Sequence, residues 1–103
     1  MTVVGAFAVL GEPNRLRILE LLRAEELSVG ELVRQLDMSQ PAVSKHLKVL
    51  RQAGFVSSRI AAQQRIYRIE PAPFAEVAHW LAPYRRLWDR HLDALERHLD
   101  DME

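Results

Sequence analysis

Apolar residues recur with a helical period in five parts of this chain and with a strand-like texture in one. Residues 2–10 are almost continuously apolar and predict a short first helix. The break GEPN follows. Pro13 suits the first turn of a second helix over 13–25, in which Leu16, Ile18, Leu19, Leu21 and Leu22 spread over a broad buried arc. Ser28 and Glu31 have capping-box spacing, and Val29, Leu32, Val33 and Leu36 follow at i, i+3, i+4 and i+7. A third helix therefore starts after Ser28 and stops near Asp37. Only Asp37 and Met38 separate it from the next N-cap, Ser39. Pro41 is tolerated in the first turn of that fourth helix, and Val43, Leu47 and Leu50 form its inward stripe. Gly54 stands where a left-handed residue closes a helix. Two short helices joined by a tight turn make a helix-turn-helix pattern.

FVSSRI and RIYRI are rich in β-branched and aromatic residues and predict a hairpin, with AAQQ as a four-residue loop. The loop has no Gly, Asn or Asp, so its turn type is left open. From Pro73 to the end the pattern is helical again, with a break or kink expected at Pro83. Beyond it, Tyr84, Leu87, Trp88, His91, Leu92, Leu95, Leu99 and Met102 hold one stripe over about five turns. That is more apolar face than a small domain covers by itself, and a helix over about 84–102 is expected to serve self-association. The fold class is mainly α with a small β-hairpin wing.

The 103 residues predict one domain, 1–103, with a core small enough to gain from dimerisation. There is no cysteine, which excludes disulfides, thiolate metal sites and thiol nucleophiles and fits a cytoplasmic location. MTVVGAFAVLG has no basic flank or cleavage-like site and is too short to span a bilayer, so it reads as a helix and no membrane partner is expected.

Charge changes the picture. The formal net charge is zero, but residues 38–69 contain six Lys or Arg and no acid, between Asp37 and Glu70. Residues 1–37 and 70–103 each carry more acids than bases. A basic middle between acidic ends predicts one face for a polyanion. On the fourth helix, an advance of about 100° per residue from Val43 puts Pro41, Ser44, Lys45, Lys48 and Gln52 outward, with Gln40, Ala42 and Arg51 on the flanks. Ser, Gln and Lys can donate or accept at base edges, and Ala or Pro can touch a thymine methyl. Arg59, Arg65 and Arg68 bracket the hairpin and suit phosphate contacts, though a charged strand edge also deters aggregation. His46 lies between core and flank; a bond to nearby backbone is favoured over a groove contact. Ser44 and His46 point apart on a helix and lack a nucleophile elbow, so no hydrolase pair is expected, and the chain reads as a non-enzyme.

LGEPNRLRILELL, ELSVGEL, SQPAVSKHLKVLRQAGFV and a hairpin ending RIYRI together resemble the ArsR family of bacterial winged-helix repressors, over nearly the whole chain. The resemblance implies a symmetric dimer built from the first and last helices, with the fourth helix of each subunit in a major groove of double-stranded DNA. It implies a DNA-contact set of Ser39, Gln40, Pro41, Ala42, Ser44, Lys45, Lys48, Arg59, Gln64 and Arg65. It also implies interface roles for Phe7, Leu10, Trp80 and Trp88 beside the stripe Tyr84, Leu87, Leu92, Leu95 and Leu99.

Three departures qualify it. Ser28 and Gly30 stand in the segment where arsenic-sensing members carry cysteines, and the wing loop AAQQ has no glycine. In the last helix, Asp89-x-His91 and His98-x-x-Asp101 are like the zinc or nickel set of some relatives, but the second half arrives about one turn early. No cofactor or metal is therefore expected. The rival readings are a metal-responsive repressor using Asp89, His91, His98 and Asp101, and a winged-helix protein-interaction module that does not bind DNA.

Overall fold

Each of the first four helices begins where a side chain caps it. The computed structural model describes residues 2–101. Thr2 Oγ1 accepts the Gly5 amide at 3.1 Å and opens α1 (Val3–Leu10). The Glu12 carboxylate accepts the Arg15 amide at 2.9 Å and opens α2 (Pro13–Ala24), with Pro13 in its first turn. Ser28 and Glu31 exchange both capping-box bonds, at 3.2 and 3.0 Å, and open α3 (Val29–Leu36). Ser39 accepts the Ala42 amide at 3.3 Å and opens α4 (Gln40–Gln52).

The α3–α4 turn is tight because Asp37 takes a left-handed conformation (φ 53°), which a short polar side chain tolerates. Gly54 is left-handed at the end of α4 (φ 82°). Its amide bonds the Arg51 carbonyl at 3.0 Å and the Phe55 amide bonds the Leu50 carbonyl at 2.9 Å, the two bonds of a Schellman closure. Leu50 and Phe55 are both fully buried, which supplies the apolar contact that accompanies this closure.

The core joins α2 (Ile18, Leu19, Leu22), α3 (Leu32, Leu36), α4 (Val43, Leu47, Leu50) and the sheet residues Leu27, Val56 and Tyr67 around Phe55. Burying each large apolar side chain is worth about 1.5–3 kcal/mol. That holds α4 by its inner stripe and leaves its outer face to solvent. Phe74, at the start of α5 (Ala72–Asp101), meets Phe55 edge to face at 4.9 Å.

Three local features differ from expectation. The sheet has a third member: β1 (Leu27–Ser28) pairs with β3 (Gln64–Ile69), which also pairs with β2 (Val56–Ala61). Two residues cannot show an alternating pattern, so β1 has no signature in the sequence. The hairpin loop is two residues and not four, because Ala61 and Gln64 are themselves paired. Ala62 and Gln63 both have positive φ (50° and 65°), as a type I′ turn requires. Neither residue type prefers that region. Changing Ala62→Asn together with Gln63→Gly should therefore raise stability by about 1 kcal/mol, read as a higher denaturant midpoint at unchanged slope.

The third difference is at Pro83. α5 continues through it without a break. Pro83 and His79 are both exposed, so the His79 carbonyl that loses its helical partner can turn to water, and good helix formers flank the proline on both sides.

The first turns of α5 pack on the domain through Phe74 and Val77. Trp80 meets Phe7 of α1 edge to face at 5.4 Å, and Tyr84 lies 5.0 Å from Trp80. From Pro83 to Asp101 no residue is even half-buried. The described chain measures 62 × 31 × 21 Å with a radius of gyration of 18.2 Å. A compact chain of this length has about 13 Å. The excess is the projecting half of α5, which carries the predicted stripe except Met102; that residue lies outside the described ones.

Candidate nucleic-acid interface

α4 presents the face that its sequence predicts. Val43, Leu47 and Leu50 are wholly buried, while Gln40, Pro41, Ser44, Lys45, Lys48, Arg51 and Gln52 are exposed and Ala42 is half-buried. Ser39 is exposed at the N-cap, with its oxygen engaged by the Ala42 amide. The outward surface thus combines hydroxyl, amide and ammonium groups on a helix whose other side is locked into the core. Such a surface can enter a major groove and meet base edges and phosphates together.

The wing carries the remaining candidates. Gln64 and Arg65 begin β3 and are exposed beside the turn. Arg65 Nη1 donates to Ser58 Oγ at 3.0 Å, which steadies its stem across the hairpin. Arg59 Nε lies 3.6 Å from the Glu26 carboxylate, so part of its charge is compensated within the chain. Arg68 is in a similar position, with its Nε 3.3 Å from Glu70 and 3.1 Å from Ser57 Oγ. The Ser57 hydroxyl also donates to Glu70 and, with Arg68, holds that carboxyl below its usual range against the opposing effect of burial. The acid-free window therefore ends at Glu70 in an internal pair, and the uncompensated charge lies nearer the wing tip and on α4.

Among the described residues His46 makes no bond to nearby backbone. Its Nδ1 lies 3.6 Å from Glu12 Oε2, because the carboxylate that caps α2 faces the edge of α4. The contact is from side chain to side chain and not to backbone, and it ties α4 to the start of α2.

The charge window excludes one cation that the fold brings to this face. Arg34, exposed in the last turn of α3, lines a cleft of about 390 Å³ with Gln40, Gln64 and Arg65. Ser28, Val29, Gly30 and Glu31 complete its wall. The available signal is general: the first helix of a helix-turn-helix crosses the DNA backbone, so its outward cations are candidates too.

Of the interface candidates, Phe7, Trp80, Tyr84, Leu87, Trp88, Leu92, Leu95 and Leu99 are all at least 40% exposed. Leu10 is half-buried against the core of its own chain and offers less free surface. Asp89, His91, His98 and Asp101 are all exposed along α5. Among the described residues, no three His, Asp or Glu side chains converge as metal ligands. Nor is any described helix long and apolar enough to cross a membrane.

Comparison with known proteins gives this geometry a context. Residues 12–58, from the cap of α2 into β2, match the family model described as bacterial regulatory protein, arsR family. The HTH-type transcriptional regulator Rv2034 of Mycobacterium tuberculosis is 39% identical over 92% of this chain and 86% of its own length. The transcriptional repressor SdpR of Bacillus subtilis is 26% identical over 85% of this chain and 98% of its own. Among solved structures, an ArsR-like transcriptional regulator from Rhodococcus sp. RHA1 superposes with a TM-score of 0.72 at 30% identity, covering 92% of this chain and 90% of the other.

Proposed function

This chain belongs to the ArsR family of bacterial regulatory proteins and is a DNA-binding transcriptional regulator, and we propose that it acts as a homodimeric repressor occupying a pseudo-palindromic operator. The observation that carries the proposal is the pairing of two surfaces on one rigid frame. One is the exposed, acid-free outer face of α4 with the wing tip; the other is the uncovered apolar stripe of α5. A symmetric dimer covers the stripe and presents two copies of α4, and an operator with matching symmetry takes one in each half-site. Bases are read by Gln40, Ala42, Ser44 and Lys45, while Lys48, Gln64 and Arg65 hold the backbone. Arg59 contributes less, because Glu26 shares its charge. Repression is the action named for relatives such as SdpR, and occlusion of a promoter is the simplest action of a bound dimer.

Selection of bound duplexes from a random pool tests this reading. The expected product is an enriched site with internal two-fold symmetry and half-sites about one helical turn apart. Enrichment of asymmetric sites, or no enrichment, refutes it.

The same assay decides whether the last helix senses metal. Asp89, His91, His98 and Asp101 have zinc-like chemistry, but His91 belongs to the stripe that the dimer covers and the set is short by a turn. A metal switch must bind the DNA-free and DNA-bound states differently, typically by about 1–3 kcal/mol. Operator affinity in chelator, zinc, nickel and cobalt should change by less than about twofold. A tenfold loss with one metal, abolished by His91→Ala or His98→Ala, would establish a metal-responsive repressor instead.

A further inference from the structure

The cleft between α3, the start of α4 and the wing has no assigned occupant. Its construction is specific. Ser28 is both a residue of β1, paired with Ile66 of β3, and the N-cap of α3. That double role joins the first turn of α3 to the strand that carries Gln64 and Arg65. Arg34 then folds back along α3, and its Nη1 lies 3.7 Å from where a side chain on Gly30 would begin. The guanidinium therefore lies over Gly30, at ordinary contact distance from a Cβ placed there. Gln40 closes the side toward α4.

Charge identifies what fits. Two guanidiniums, Arg34 and Arg65, face one carboxylate, Glu31. The Ser28 amide and then its hydroxyl hold that carboxyl below its usual range, so it stays ionised at neutral pH. Arg34 does not come within ion-pairing distance of it among the described residues, and Arg65 bonds only the Ser58 hydroxyl. The cleft is left with one net positive charge, two guanidinium forks and two side-chain amides. One phosphodiester balances it, and guanidiniums are well matched to phosphate oxygens.

We propose that this cleft seats one backbone phosphate of the operator, held jointly by Arg34 from α3 and Arg65 from the wing. The seat rests on the reading of the chain as a DNA-binding regulator and adds Arg34 to its contacts. It fixes α4 relative to the duplex from both sides, because the phosphate touches the elements before and after the recognition helix. It carries no sequence information of its own.

The salt dependence of binding tests the seat. Each phosphate neutralised contributes about −0.9 to the slope of log K against log salt, and about eightfold in affinity at about 0.1 M salt. If Arg34 and Arg65 share one phosphate, either alone still neutralises much of it. Arg34→Gln and Arg65→Gln should then each lower the magnitude of the dimer's slope by less than about 0.9, half the total for its two seats. The double variant empties one seat in each protomer, so it should lower the slope of the dimer by about 1.8 and weaken the selected operator and unrelated DNA alike, by about sixtyfold. Arg34→Lys with Arg65→Lys keeps the charge and should restore most of the slope. Equal melting temperatures across the set separate lost contact from lost fold.

An unchanged slope in the double variant overturns the seat. So does an additive loss of about 1.8 from each single variant, which would mean two separate phosphates in each protomer. Inorganic phosphate at constant ionic strength should compete no better than chloride. Selective inhibition by phosphate that the double variant loses would make the cleft a free-anion site and overturn the proposal. A wild-type chain that binds no duplex removes the regulator reading itself, whereas normal wild-type binding with unaffected variants removes the seat alone.

Discussion

Trp88→Glu is expected to turn the protein into a monomer and to weaken operator binding by about 10²- to 10⁴-fold, the range in which bivalent attachment strengthens binding to a two-part site. Trp88 is 64% exposed at the middle of a helix that its own chain leaves in solvent from Pro83 onward. In proteins most helical stability comes from packing an apolar face. In the proposed dimer a second copy supplies that packing. Aromatic anchors near the centre of an interface carry a large share of its energy, commonly more than about 2 kcal/mol each, and a buried carboxylate adds a desolvation cost. Sedimentation should show wild-type dimers at micromolar concentration and a monomeric variant whose projecting helix loses circular dichroism signal. A variant that remains dimeric places the interface elsewhere. A wild-type chain that is monomeric at micromolar concentration removes the dimer.

Lys45→Ala should cost about 1–3 kcal/mol in operator affinity, the largest loss expected from one side chain on α4. Lys45 is exposed on the outward face, one position beyond Ser44 and without an ion pair among the described residues. If it reads a base, the loss is confined to one operator position and substitution at that base pair no longer matters in the variant. If it holds a phosphate, all sequences weaken alike and the salt slope of the dimer falls by about 1.8, one phosphate in each half-site. Unchanged affinity for the selected site removes Lys45 from the interface. Because Lys45 points away from Val43 and Leu47, the fold should be unaffected, and an unchanged melting temperature checks that.

Much of this architecture is legible in the sequence because its helices announce their own ends. Ser28 with Glu31, Ser39 with Pro41, and Gly54 each mark a boundary through local hydrogen bonding, and each stands there in the structure. The inward stripe of α4 follows from period alone, and the uncovered stripe of α5 from its length. What stays hidden depends on partners distant in sequence. Arg59 and Arg68 look like free cations until Glu26 and Glu70 are seen beside them. His46 shows no sign of Glu12, 34 positions earlier, because the contact exists only once α2 and α4 pack. Arg34 stands outside the acid-free window and joins the basic face only through the pairing of β1 with β3. The two-residue turn at Ala62 and Gln63 is hidden for another reason: its conformation is imposed by strand register and not by the preference of either residue.

In the proposed dimer two copies of α4, held at a fixed separation by α5, read two half-sites on one face of the duplex. Inserting about five base pairs between the half-sites of the selected operator rotates one of them by about half a helical turn. It leaves every base contact intact within each half. Affinity for the altered duplex is predicted to fall by at least about a hundredfold, toward that of unrelated DNA. Undiminished binding to the altered duplex would contradict the account.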